Sequence, residues 1–72
     1  MSERKYAVII EQGATGYGAY VPDLPGVVSV GDSEEAVKAS IQEAIAFHLD
    51  GLRETGAPIP EPRSSVTFID AA

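Results

Sequence analysis

No cysteine occurs among the 72 residues, so neither a disulfide staple nor a thiolate metal site is available. Tryptophan is absent and histidine occurs once, at His48. One imidazole does not furnish the four ligands of a structural zinc site. Basic residues are few: five Lys and Arg stand against eleven Asp and Glu, a net charge of −6. That balance weighs against a phosphate-backbone binder and suits a basic partner or a well-solvated surface. No apolar run is long enough to cross a bilayer, and the opening MSERKY has no apolar signal core. The expected location is the cytoplasm, with no membrane partner. So short a chain forms one domain at most, residues 1–72, with a marginal core. With disulfides and metal set aside, oligomerisation is the remaining staple: a dimer or tetramer, most simply on two-fold symmetry.

Regular structure is present throughout. Arg4 to Glu11 reads as a first strand, with Tyr6, Val8 and Ile10 on one face and Ala7 and Ile9 on the other. Both faces are apolar, which suits a central strand. Gln12 to Gly16 is a turn in which Gly13 and Gly16 are able to take positive φ. Tyr17 to Val21 is the second strand, with Gly18 marking a close approach of another group. Pro22 ends it, and Pro25-Gly26 fits the central pair of a type II turn. Val27 to Val30 is the third strand, closed by Gly31.

Asp32 and Ser33 are both good helix caps, and Asp32 with Glu35 resembles a capping box. Glu34 and Glu35 suit the positive end of the helix dipole. Val37, Ile41, Ala44, Ile45, His48, Leu49 and Leu52 then trace one helical stripe, and Gly56 is placed to end the helix. Pro58, Pro60 and Pro62 give a stiff extended return. Ser65 to Ile69 reads as a fourth strand, with Val66 and Phe68 on one face. The expected fold class is α+β, β-β-β-α-β: a four-stranded mixed sheet of order 3-2-1-4 with one long helix on one face. The other face of the sheet is left open and is a candidate dimer surface.

The pattern resembles a known family. GYGAYVPDLPGVVSVGDSEEA after an initial strand, then a long helix, then APIPEP, is similar to the HicB-type antitoxins, whose fold is a partial RNase H-like domain. The resemblance covers nearly the whole chain. Its strongest parts are Val21 to Gly26, Gly31 to Ala36, and Ile59 to Pro62. It implies a protein that binds and silences a small basic HicA-type toxin, itself an RNA-cleaving protein, and that is not an enzyme. Larger members carry an added DNA-binding domain. After Asp70 only Ala71 and Ala72 remain, so no direct DNA binding is expected here. An acidic binder meets the basic surface of an RNA-cleaving toxin with complementary potential.

Each distinctive residue has a plain structural role beside the functional one. Pro22, Pro25, Gly26, Asp32 and Ser33 are a structural motif of strand end, turn and helix cap. Asp23 ordinarily bonds its own turn; the alternative is a carboxylate offered to a basic partner. Glu34 and Glu35 serve the helix start and are partner-contact candidates as well. Tyr17 and Tyr20 lie on opposite faces of their strand, one for the core and one for an interface. His48 is expected packed and hydrogen-bonded within the core. A metal-dependent RNase would need carboxylates around two metal ions about 3.5–4 Å apart. The candidates are Glu11 at the end of strand one, Glu43 on the polar helix face away from the sheet and Asp70 after strand four, while mid-strand one is Val8-Ile9-Ile10. No metal, cofactor or catalytic residue is therefore assigned. A stand-alone oligomeric regulatory or ligand-binding module without a toxin is the alternative, and a weak nuclease ranks last.

Overall fold

The computed structural model describes residues 4–72. Three short strands, β1 (Ile9–Gln12), β2 (Tyr17–Tyr20) and β3 (Val28–Gly31), precede one long helix, α1 (Glu34–Thr55). The strands form an antiparallel meander of order β1-β2-β3. Short connections make this pairing the natural one, since neighbours in sequence pair through tight turns.

The register separates the two faces. Ile9 stands opposite Tyr20, and Tyr20 opposite Val28, so these three share the outer face. Ile10 pairs with Ala19, and that row turns inward. Ala19, Val21, Leu24 and Val27 are buried against Val37, Ile41 and Leu49 of the helix. Tyr6, Val8, Ile10, Tyr17, Ala44, Ile45, Leu52 and Ile59 close around them. The helical stripe and the inward rows are those expected from period-3.6 and period-2 patterning. His48, also on the stripe, is only half-buried, and its ring has no hydrogen bond among the described residues. It is not the packed, bonded core histidine the pattern suggested.

The turns carry their own reasons. Val27 N–H donates to the Leu24 carbonyl at 3.1 Å, and Gly26 takes φ +89°. This is the type II turn expected of Pro25-Gly26. At the helix start the choice falls on Ser33, whose Oγ accepts the Ala36 N–H at 3.1 Å. The residue three beyond the cap is therefore Ala36, and no Asp32–Glu35 capping box forms. At the far end Gly56 has φ +74°, with Gly56 N–H bonded to Arg53 O and Ala57 N–H to Leu52 O. These are the paired bonds of a Schellman close.

Further expectations are corrected. Neither Gly13 nor Gly16 takes positive φ; Gly13 N–H bonds Gly16 O at 2.7 Å and closes the β1–β2 loop without it. The close approach lies not at Gly18, where an added Cβ would meet Ser29 O at 3.9 Å, but at Gly16 and Gly31. A Cβ on Gly16 would stand 2.8 Å from Gly31 O, and one on Gly31 would stand 2.8 Å from Val37 N. The helix thus presses directly on the end of β3.

The largest correction concerns the sheet. It has three strands and is purely antiparallel, not four-stranded and mixed with order 3-2-1-4. Ser65 to Ile69 forms no strand: Val66, Phe68 and Ile69 are 47%, 93% and 84% exposed. The physical cause is the path of the proline-rich return. The Tyr6 hydroxyl donates to Pro60 O, and further on the tail is held by Asp23 at the end of the sheet. Beyond that anchor the chain pairs with no strand.

Candidate functional site

Two ends and one face of the domain hold the residues of interest. The first end is formed by the β1–β2 loop and the start of α1. Here Tyr17 pairs with Gly31, and Glu11 pairs with Gly18. A shallow open depression of about 800 Å³ is bounded by the loop, Glu11, Tyr17, Asp32 and Ser40. Glu11, Asp32, Glu34 and Glu35 are all exposed. Their negative charge is set against the positive helix end, which stabilises the helix and leaves the carboxylates facing water. Tyr17 packs partly on the core, so it is the inward tyrosine of the pair.

The second end holds Asp23, at the opposite end of β2. Its carboxylate does not bond its own turn. Oδ2 accepts the backbone N–H groups of Arg63 and Ser64, each at 2.9 Å, and Oδ1 accepts the Ser64 hydroxyl at 3.0 Å. Three donors some forty residues away in sequence converge on one side chain. Nothing in the local pattern of PDLPG signals such a contact, because turn aspartates usually bond locally. Charge-assisted bonds of this kind are stronger than neutral ones.

These bonds hold the Asp23 carboxyl below its ordinary value, first through the Ser64 N–H and then through that of Arg63. Hydrogen bonds to the charged form favour that form. A folded value below the unfolded one means the contribution is in place above the ordinary aspartate pKa of about 3.9. It is lost only as the pH falls through the lowered folded value. The amide resonances of Arg63 and Ser64 are accordingly expected to hold steady from neutral pH down to that range and then to shift together. In an Asp23→Ala chain both are expected to occupy their released positions already at neutral pH. A titration in which they move at ordinary carboxylate pH, or in which the variant leaves them unshifted, contradicts the clamp.

The third region is the outer sheet face. Tyr20, Val28 and Val30 are exposed there, Val30 at 81%. Tyr20 is thus the outward tyrosine. On α1, Phe47 is also exposed, off the packed stripe. Val28, Val30 and Phe47 were not singled out from sequence. The signal for the two valines is the alternation in Val27-Val28-Ser29-Val30, which sends every second residue outward.

The proposed contact residues are therefore dispersed. Tyr17, Glu34 and Glu35 lie toward one end, Tyr20 on the outer face, and Asp23 at the other end with its carboxylate engaged. Glu11 sits on β1, while Glu43 faces outward from α1 and Asp70 lies on the tail. Among the described residues no group of three or more His, Cys, Asp and Glu side chains is arranged to hold a metal ion. Nor is any helix among them long and apolar enough to cross a membrane.

Comparison with known proteins points to one family. A model of the HicB-like antitoxin of bacterial toxin–antitoxin systems matches residues 6–71. A UPF0150 protein of Helicobacter pylori is 38% identical over 58 residues, which is 81% of each chain. An uncharacterized 14.9 kDa protein from the rep-hol intergenic region of Haemophilus phage HP1 is 34% identical over 65 residues. That match takes in 90% of this chain but 49% of the phage protein, so the chain spans about half the length of that relative. No solved structure matches significantly. With the match running from Tyr6 through the turn, the helix and the tail, the chain belongs to the HicB-like antitoxin family.

Proposed function

We propose that this protein is a non-enzymatic antitoxin that binds and neutralises a small, basic, RNA-cleaving toxin of the HicA type. The observation that carries the reading is the family match over residues 6–71. The net charge of −6 supports it, because a toxin that holds RNA presents cationic surface. Complementary potential speeds encounter and favours the right partner. The contact surface we assign is the acidic end with Glu34 and Glu35, flanked by Tyr17, together with the outer face at Tyr20. Asp23 contributes by holding the tail in place. The domain comprises residues 1–72, acts in the cytoplasm and self-associates through apolar surface that the monomer leaves open.

Co-expression with any small basic protein encoded beside it is the test. The pair is expected to co-purify, and this chain is expected to relieve growth arrest caused by that protein. Glu34→Lys with Glu35→Lys is expected to slow association by roughly tenfold at low salt, with a smaller effect at high salt. If no basic protein is encoded nearby and none is bound, the toxin reading fails and a stand-alone oligomeric module takes its place. If the pair forms but ignores the charge reversal, the contact lies elsewhere on the domain.

A further inference from the structure

An apolar groove of about 350 Å³ runs between β1 and α1, bounded by Val8, Ile10, Lys38, Ile41, Gln42 and Ile45. It exists because the helix packs chiefly over β3 and β2, leaving the β1 flank uncovered. β1 is also an edge strand, with one neighbour in the sheet. Uncovered edges beside apolar surface invite an extended chain. The same molecule carries such a chain: the tail beyond Ser64 exposes Val66, Phe68 and Ile69 at 47%, 93% and 84%.

The tail does not reach its own groove. The return passes Tyr6 at Pro60 and is then clamped by Asp23 at Arg63 and Ser64. Beyond Ser64 none of its residues lines the groove, and Phe68 and Ile69 stand exposed. Three charge-assisted bonds hold the return at Asp23. Groove and tail are also complementary in charge, since Lys38 lies on the groove and Asp70 follows Ile69 on the tail.

We propose that the groove between β1 and α1 receives the 65–70 tail of a second copy of this chain, and that the exchange is reciprocal. Phe68 and its apolar neighbours fill the groove, and Asp70 meets Lys38 on its rim. Reciprocal exchange gives a closed two-fold dimer with both exposed tails and both grooves satisfied. The proposal rests on the self-association proposed above and does not depend on the toxin.

Sedimentation equilibrium on the full chain over a wide concentration range is the first measurement. A dimer is expected, and Phe68→Ser is expected to raise its dissociation constant about 10–100-fold. Far-UV circular dichroism is expected to stay unchanged, because Phe68 is exposed within the monomer. Lys38→Asp is expected to weaken the dimer, and Asp70→Lys in the same chain to restore it. With no native cysteine, a chain bearing Ile45→Cys mixed with one bearing Phe68→Cys is expected to give a disulfide between chains. A dimer indifferent to Phe68→Ser but broken by Val30→Glu overturns the exchange and leaves self-association standing, through the outer sheet face. A chain that is monomeric throughout overturns both. A chain bearing both cysteines that links to itself as a monomer shows the tail in its own groove, which also overturns the proposal.

Discussion

Leu24→Ala is expected to lower the stability of this domain by about 2–5 kcal/mol, the usual cost of truncating a buried leucine. Leu24 is fully buried although it lies in a turn. Its N–H donates to Val21 O at 3.0 Å, and its carbonyl accepts from Val27 N–H at 3.1 Å. The two proline-containing turns on either side thus fold back and drive the leucine under the helix, among Val21, Val27 and Val37. A domain of this size has roughly 4–11 kcal/mol in total at typical per-residue stability. The substitution therefore removes a large share of it. Urea unfolding is the measurement, with a lower midpoint and an unchanged slope expected. Pro25→Ala, on the exposed side of the same turn, is expected to cost no more than about 1 kcal/mol. Equal losses from the two would mean that the turn, and not the leucine, carries the effect. Asp23 is the neighbouring residue, so Leu24→Ala is also expected to loosen the tail clamp before the domain unfolds.

Gly31→Ala is the second large effect. The added Cβ would lie 2.8 Å from Val37 N, 3.0 Å from Val37 Cα and 3.2 Å from Ala36 C. All three are helix backbone, so no side chain is able to rotate away. The first turn of α1 must lift from β3, and Val37, fully buried, loses contacts with it. Overpacking of this kind costs about 1–3 kcal/mol. For a domain of this length that corresponds to a fall in Tm of about 4–8 °C per kcal/mol. Gly18→Ala provides the contrast, because its Cβ meets only Ser29 O at an ordinary 3.9 Å. It is expected to be neutral or slightly stabilising, since alanine loses less backbone freedom than glycine on folding. Calorimetry on the two variants checks the order. If Gly18→Ala is the more damaging, the close helix–strand approach is misplaced.

The consequence for function follows from the same contact. Gly31, Ser33 and the helix start hold Glu34 and Glu35 at the acidic end, beside the β1–β2 loop. An altered helix seat moves the charges proposed to meet a basic toxin. Stability and the proposed partner binding are expected to be coupled at Gly31, and because Glu34→Lys with Glu35→Lys also sets two cations against the positive helix end, its binding effect is read beside an unfolding curve of the same variant.

Much of the fold was legible because short-range physics dictates it. Pro25-Gly26 has few choices other than a type II turn. The stripe from Val37 to Leu52 requires a helix with one buried face, and Gly56 ends it because an L side chain resists positive φ. Alternation in Tyr17 to Val21 separates an inward row from an outward one. The family itself was legible from the succession of these signals. The site was less so. The sequence left Tyr17 and Tyr20 unassigned, and strand register alone places the first inward and the second outward.

What residues by themselves determined is local: turn types, helix limits, which face of each element is apolar, and the acidic charge. What only the tertiary structure decided is how distant pieces meet. Ser65 to Ile69 has the composition of a strand, yet strand formation needs an edge within reach. The bonds from Arg63 and Ser64 to Asp23 join residues about forty positions apart, and the segment beyond them pairs with no strand. In the same way Gly31 looks like a strand terminator until the helix is seen resting on its Cα. Long-range contacts of this sort leave no periodicity in the chain. The GYGAYVPDLPG stretch thus named the family, while the partner held by its aspartate became visible only when the chain had folded.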